Sequence, residues 1–187
     1  MSGWLDPPGA VAGLRAPPGG VLGTLDRLLA AVNRAMLFIG MVTLVVASIV
    51  LTYSVFSRYL FRAATDWQDE VAVFCIVGAV FLCGAWVQAQ RGHIGIEAVA
   101  SILPPRANRI RMIAVDLMSL AFCTFFAWKS WTLFLEAWRV NMTTSSTFSP
   151  PLTIPYGLMA AGMTLLVLQL LLQSLLRLAE SLAEERE

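Results

Sequence analysis

Long stretches without charged residues constrain this chain more than any other feature. Three of them, over 35–57, 71–90 and 155–176, contain no Asp, Glu, Lys or Arg. A fourth apolar stretch, over 110–135, carries Asp116 in its interior. A helix needs about 20 residues to cross the hydrocarbon core of a bilayer, and each stretch reaches that length. Because a span in lipid must satisfy its own backbone hydrogen bonds, the sequence predicts an all-α membrane protein with four transmembrane helices.

Composition agrees with that class and limits the alternatives. Hydrophobic residues make up 58% of the 187 residues and charged residues only 13%, so lipid or a partner protein must cover the surface. The net charge is +1 and the basic residues are scattered, which argues against nucleic acid as a partner. Cys75, Cys83 and Cys123 fall inside apolar stretches, where they are expected to act as small core residues.

The remaining segments divide the chain into a membrane domain and two tails. Residues 1–20 are rich in proline and glycine, which predicts a disordered cytoplasmic tail. Residues 21–34 repeat leucine at helical spacing opposite polar residues that include Asn33, which predicts an amphipathic helix on the membrane surface before the first span. We therefore expect a four-helix membrane domain over 21–176 and a charged cytoplasmic tail over 177–187.

The basic residues predict the orientation of the spans. Nine of the 13 Lys and Arg residues fall in the N-terminal segment, in the loop between spans two and three, or in the C-terminal segment. The other four, Arg58, Arg62, Lys129 and Arg139, fall on the opposite side. Since cytoplasmic loops are enriched in Lys and Arg, both termini and the central loop are predicted to be cytoplasmic. The four spans then form two hairpins joined by the central loop.

The central loop contains the only histidine, His93. A lone imidazole could act as a pH sensor or a ligand, but one without partners supports no metal site. We therefore interpret His93 and Glu97 as a structural corner that caps span two. Residues 97–103 are expected to form a second interfacial amphipathic helix, which the prolines that follow would end.

The acidic start of span two, over 65–70, has two interpretations. Thr65 and Gln68 have the spacing of a capping box, and the acidic residues lie at the positive end of the helix dipole, so the segment predicts a well-capped helix. Alternatively, its carboxylates pair with a basic group on a partner protein or with an arginine across the short loop. The candidate residues for a subunit or binding-protein interface are Arg58, Trp67, Asp69 and Glu70.

Polar residues inside the spans are candidates for buried hydrogen bonding. Asp116 is a functional hypothesis by default, because a charge is costly to bury in lipid. It follows Arg111 by roughly 8 Å along a helix, so we favour a structural role near the cytoplasmic interface. Gln169 and Gln173 are expected to form hydrogen bonds across helix interfaces. Small residues that permit close helix packing accompany them, namely Gly78, Ala85, Ala89, Gly157, Ala161 and Gly162.

Enzymatic classes of four-span protein find little support in the sequence. A haem protein needs axial ligands, usually several histidines on the spans, and a disulfide-generating oxidase needs reactive cysteine pairs at the outer side. Neither pattern is present, and the sequence contains no ATP-binding loop or metal cluster. We therefore assign no catalytic, cofactor-binding or metal-binding residue.

Five short motifs, in this order and spacing, resemble the small membrane subunit (DctQ type) of TRAP transporters, the tripartite ATP-independent periplasmic systems. The resemblance covers roughly 28–176, and where the family commonly has aspartate after the His-Ile pair this chain has Glu97. The motifs are Phe56-Ser57-Arg58-Tyr59, Trp67-Gln68-Asp69-Glu70, Phe81-Leu82-Cys83-Gly84-Ala85, Arg91-Gly92-His93-Ile94 and Leu152-Thr153-Ile154-Pro155.

The resemblance implies a multi-pass subunit of the bacterial inner membrane. In such systems a periplasmic binding protein captures an organic acid, and a large membrane subunit of about a dozen spans moves it with sodium. The small subunit packs against the static scaffold of the large one, so substrate and sodium sites are expected on the large subunit. The competing interpretation is an independent four-span exporter or channel that uses Asp116.

Overall fold

The fold, seen in a computed structural model, consists of long helices. The structure describes residues 21–62, 66–90 and 105–184. Each helix is long and apolar enough to cross a membrane, which confirms the prediction of four spans in an all-α fold. The helices are α1 (Val21–Phe61), α2 (Asp66–Ala89), α3 (Pro105–Val140) and α4 (Thr153–Glu184).

Several predicted features lie outside the described residues. These are the N-terminal tail over 1–20, Thr65 of the capping box, the central loop with His93 and Glu97, and the interfacial helix over 97–103. Their interpretations remain predictions.

The first helix is longer than its predicted span. It runs without a break from Val21 to Phe61, so the surface helix expected over 21–34 is not a separate element. The chain has no proline and no turn signal at that junction, and the helix simply continues. Asn33, which the amphipathic pattern placed on the polar face, is fully buried. The helix ends where Arg62 adopts a positive φ of 49°, a conformation common just after helix C-termini.

The helices are arranged in the order α1, α2, α4, α3. The two hairpins, α1 with α2 and α3 with α4, are joined through extensive packing of α2 against α4. Asn33 near the start of α1 meets Gln169 late in α4, and Arg58 near the end of α1 meets Asp69 at the start of α2. Consequently α1 and α3 occupy the two outer positions, and α2 and α4 form the centre.

A stripe of small and polar residues on α1 contacts α2. Asn33, Gly40, Ala47 and Ser54 recur every seven residues, and all four are buried. A seven-residue repeat keeps one face of a helix against its neighbour with a slight left-handed supercoil. At Gly40, a Cβ atom would overlap the sulfur of Cys83, so this glycine permits the close approach of the two helices.

Glycines also set the contact between α2 and α4. A Cβ on Gly162 would overlap the backbone carbonyl of Phe81, and one on Gly78 would come within 3.1 Å of the Leu158 side chain. Gly157 faces the ring of Phe134 on α3, whereas Ala161 is exposed. The predicted pair Gly157 and Ala161 therefore does not form one packing face, because α4 has neighbours on two sides.

A short ordered loop connects α3 to α4. Asn141 ends α3 with a φ of 51°, and an antiparallel bridge pairs Thr143 with Pro151. The backbone N–H of Leu152 donates to the carbonyl oxygen of Met142 at 2.9 Å. Pro155 lies in the first turn of α4, where its missing N–H costs little.

Candidate functional site

Four side-chain amides form a polar layer near one end of the helices, here called the amide layer: Asn33 of α1, Gln88 of α2, and Gln169 and Gln173 of α4. Asn33 Nδ2 donates to Gln169 Oε1 at 2.9 Å. Gln88 Nε2 donates to Gln173 Oε1 at 3.2 Å, and Gln173 Nε2 donates back to the backbone oxygen of Gln88 at 3.3 Å. Three helices are thus joined by hydrogen bonds that lipid cannot replace.

Three of the four side chains of the amide layer are buried, and Gln88 is half-buried. Asn33, Gln169 and Gln173 are 0%, 4% and 5% exposed. Asn33 Oδ1 is buried and has no hydrogen-bond partner among the described residues. A buried amide oxygen without a donor costs free energy, so the layer is held by packing around it as well as by its hydrogen bonds.

A second polar cluster, here called the ionic corner, lies where α1 and α2 meet at the other end. It consists of Ser54, Arg58 and Asp69. Ser54 Oγ donates to Asp69 Oδ1 at 3.1 Å, and Arg58 Nη2 lies 3.1 Å from Asp69 Oδ2. The ion pair is largely exposed, but the Ser54 side chain is buried, so the hydroxyl contributes the better shielded contact.

Two further acceptors lie beside the ionic corner. Gln68 Oε1 and Glu70 Oε2 are buried and have no hydrogen-bond partner within the described part of the chain. Both residues belong to the first turns of α2, with Trp67 exposed next to them. The N-terminal end of α2 therefore carries acceptor atoms that no donor of the described residues satisfies.

The amide layer and the ionic corner are separated by about the thickness of the hydrocarbon core of a membrane. Asn33 and Ser54 belong to the same helix, and their separation in sequence corresponds to roughly 30 Å at 1.5 Å per residue. This is about the thickness of the hydrocarbon core of a bilayer. The amide layer and the ionic corner are thus about as far apart along α1 as the two sides of that core.

Helix α3 turns one narrow stripe toward α4. The stripe contains Asp116, Ser130 and Ala137, spaced by multiples of seven, with Asp116 half-buried and the other two buried. Trp131 Nε1 donates to Thr164 Oγ1 of α4 at 3.0 Å, which fixes the register of the two helices. Asp116 is therefore directed toward the helix interface, and its Oδ2 atom is buried.

The opposite side of α3 is exposed and differs in chemistry from the exposed side of α1. Within it, Lys129 lies with its Nζ 5.2 Å from the ring centroid of Trp128 and 6.0 Å from that of Phe125. We call this surface the lysine face; its residues recur at intervals of three and four, and all of them are exposed. They are Met118, Phe122, Phe125, Lys129, Thr132 and Glu136.

The structure distributes the predicted site residues among these regions. Arg58 and Asp69 join the ionic corner, with Trp67 and Glu70 beside it. Gln169 and Gln173 join the amide layer, and Asp116 lies on the α4-facing stripe of α3. The amide layer and the ionic corner lie toward opposite ends of α1. Within the described ranges, no group of three or more His, Cys, Asp or Glu side chains could hold a metal ion.

Sequence reasoning missed three residues of these clusters. Asn33 was assigned to the polar face of a surface helix, and Gln88 and Ser54 were not singled out. The seven-residue repeat from Asn33 to Ser54 was a usable signal, since it continues through the span without change. Gln88 had no comparable signal, because a single amide in an apolar stretch does not reveal its partner.

Comparison with known proteins agrees with this picture. Residues 47–181 match the model of the DctQ component of tripartite ATP-independent periplasmic transporters. The chain is 27% identical over 143 residues to the isethionate TRAP transporter permease protein DctMQ of Oleidesulfovibrio alaskensis, a match that covers 73% of this chain and 21% of that protein. It is 24% identical over 127 residues to a protein of Haemophilus influenzae named as a TRAP transporter small permease, covering 68% of this chain and 74% of the relative. No solved structure matches the chain.

Proposed function

Because the chain belongs to the DctQ component family of tripartite ATP-independent periplasmic transporters, we propose that it packs against the large membrane subunit of such a transporter as part of its static scaffold. The family consists of transporter subunits and not of enzymes. In this role the chain supports sodium-coupled uptake of an organic acid that a periplasmic protein delivers.

One observation carries the proposal: the polar clusters seen among the described residues hold helices together. The amide layer joins α1, α2 and α4, and the ionic corner joins α1 and α2. Polar groups placed in this way fix a rigid shape in lipid. A rigid accessory subunit needs such an arrangement, whereas a transporter needs groups that bind and release a solute.

The relatives support a large membrane partner. This chain matches 21% of the length of the DctMQ protein, so in that relative the matching region is joined to a much longer polypeptide. A region that is covalently joined to a larger permease in one protein is expected to associate with a separate large subunit in another. Substrate identity does not transfer with the match, because the matching region is only a fraction of that protein.

We further propose that both termini face the cytoplasm of a bacterial inner membrane. The distribution of Lys and Arg supports this orientation, which places the ionic corner on the periplasmic side. There, Arg58, Trp67, Asp69 and Glu70 are available to the large subunit or to the binding protein. An alkaline phosphatase fusion after Glu187 is expected to be inactive and one within the loop over 141–152 active; the reverse result would overturn the orientation.

The proposed function is tested by deleting the chain, by isolating it together with its partners, and by assaying it alone. In a strain that lacks this chain, uptake of labelled organic acids is expected to be lost and to return on complementation only when the large subunit and the binding protein are present. The tagged chain is expected to copurify with a large multi-span TRAP subunit. Transport by the purified chain alone in liposomes would instead establish the independent exporter or channel.

A further inference from the structure

Helices α1 and α3, which occupy the two outer positions, have different exposed surfaces. The exposed side of α1 over 35–57 has no charged residue and presents apolar side chains such as Phe38, Val45 and Ile49. Lipid tails suit that surface. The lysine face of α3 also contains apolar residues, but it carries Lys129 in its middle and Glu136 two turns further on.

Lys129 was counted on the opposite side of the membrane in the sequence analysis, but it lies within the third span: it precedes the end of α3 at Val140 by roughly 16 Å and follows Ile113 by roughly 24 Å along the helix axis. It precedes Trp131 by two residues, and the indole of Trp131 is hydrogen-bonded to Thr164 of α4. Thr164 follows the start of α4 at Thr153 by roughly 16 Å and precedes Gln169 of the amide layer by roughly 8 Å along the helix axis. The lysine is therefore placed between the two polar clusters and not beyond either of them.

The ammonium group of Lys129 is not neutralised by the described part of the chain. Its contacts there are with the rings of Phe125 and Trp128. Aromatic rings stabilise a cation by only about 0.5–2 kcal/mol, which is less than the cost of a lysine at the centre of a span. Charged side chains within spans usually face the interior of a helix bundle and pair with one another or with backbone carbonyls there.

From this mismatch we infer that the lysine face of α3 is the surface that binds the large subunit, and that the large subunit presents a carboxylate at the depth of Lys129. This inference rests on the proposed function and adds which side of the molecule forms the interface. The spacing of the face, at three and four residues, lets one helix pack along it. Methionine and aromatic residues, which are enriched at protein interfaces, surround Lys129 on this face, whereas the outer side of α1 is uncharged over 35–57 and suits lipid.

Site-specific photo-crosslinking tests the assignment with a matched pair of positions. Phe122 on the lysine face is 68% exposed, and Phe38 on the outer side of α1 is 64% exposed. Each is replaced in turn by benzoyl-phenylalanine in the tagged full-length chain, in cells that produce the whole transporter. After irradiation, the probe at position 122 is expected to form an adduct with the large subunit, identified by mass spectrometry, and the probe at position 38 is not.

Three outcomes would overturn the inference: an adduct with the large subunit from position 38 only, a phospholipid adduct from position 122, or an adduct between two copies of this chain from position 122. If the large subunit never copurifies with the unaltered chain, the proposed function fails as well. If the large subunit copurifies but is crosslinked only by the probe at position 38 on α1, only the inference about α3 fails.

Substitution of Lys129 provides the second measurement. Lys129→Met keeps the length of the side chain and is easily accommodated in lipid, so membrane abundance should not change. It is expected to lower the amount of copurified large subunit at least about fivefold, while Lys129→Arg retains most of it. Lys129→Glu is expected to abolish copurification and to be rescued when the carboxylate mapped by the crosslink is changed to lysine. Unchanged copurification with Lys129→Glu would contradict the charge pairing.

Discussion

Asn33 Nδ2 and Gln169 Oε1, which come from the first and last helices of the chain, are 2.9 Å apart, and both side chains are buried. Helices α1 and α4 have little other contact, since α2 lies between them along most of their length. This hydrogen bond therefore closes the packing of the three helices at one end. It also explains why α1 continues as a helix through the segment where a surface helix was expected.

The contribution of this hydrogen bond to the free energy of unfolding can be measured by replacing either partner. Asn33→Leu leaves the buried Gln169 Oε1 without its donor and is expected to destabilise the protein by about 1–2 kcal/mol. The double variant Asn33→Leu with Gln169→Leu removes both polar groups and is expected to recover at least half of that loss, because unpaired polar atoms no longer remain. Unfolding by SDS in detergent micelles, followed by circular dichroism, measures both.

Ser48→Ala is the control for the Asn33 and Gln169 variants. Its hydroxyl is exposed on α1 and donates only to the Leu44 carbonyl oxygen of its own helix, so the free energy of unfolding should change little. Strictly additive losses from Asn33→Leu and Gln169→Leu would show that the two amides are not coupled.

Because Gly162 contacts the backbone carbonyl of Phe81, the addition of one methyl group at this position is expected to destabilise the protein. The obstacle at this position is backbone, which cannot move aside as a flexible side chain can. Gly162→Ala is therefore expected to separate α2 from α4 and to cost about 1–3 kcal/mol. In Gly84→Ala, no atom lies within 4 Å of the new Cβ. That variant is expected to be neutral or to stabilise the helix by up to about 1 kcal/mol. Similar melting temperatures for the two variants would refute the close packing at Gly162.

The main features of the fold were predictable from the sequence because they depend on local properties. The uncharged stretches 35–57, 71–90 and 155–176 predicted three spans by length alone, and the fourth was recognisable despite Asp116. Pro155 is a residue typical of the first turn of a helix, and α4 has it there. Each of these signals follows from the cost of charge in lipid or from the geometry of a helix terminus, and neither depends on the neighbouring helices.

Features that depend on partners were predicted poorly. Asn33 has the same neighbours in sequence whether it faces water or a second helix, and only the position of Gln169 decides between the two. Likewise, Gly157 and Ala161 have the spacing of one packing face, but α4 contacts different helices at its different sides. The order α1, α2, α4, α3 follows from such pairwise contacts and is not encoded in the hydropathy of any one span.

The ionic corner predicts unequal contributions from its two donors to Asp69. Arg58 is largely exposed, so its ion pair is weakened by water and salt, and Arg58→Met is expected to cost less than about 0.5 kcal/mol at physiological ionic strength. Ser54 is 3% exposed, and Ser54→Ala is expected to cost about 1 kcal/mol because it removes a shielded donor. Chemical unfolding in low and high salt separates the two. A salt-sensitive loss in Ser54→Ala, or a larger loss in Arg58→Met, would reverse the assignment.

Asp116 offers the sharpest distinction between a scaffold and an independent transporter. It lies half-buried on the stripe of α3 that also contains the buried Ser130 and Ala137, which favours a hydrogen-bonding role between helices. Asp116→Asn keeps the shape and hydrogen-bonding capacity of the side chain and removes only its ability to carry a proton or bind a cation. Uptake by the complete transporter is therefore expected to stay within about twofold of the unaltered level, since the charge itself is not used. Asp116→Leu, which also removes the hydrogen-bonding atoms, is expected to reduce the amount of assembled complex. Loss of uptake in Asp116→Asn, at unchanged membrane abundance and copurification, would show that this carboxylate takes part in ion coupling.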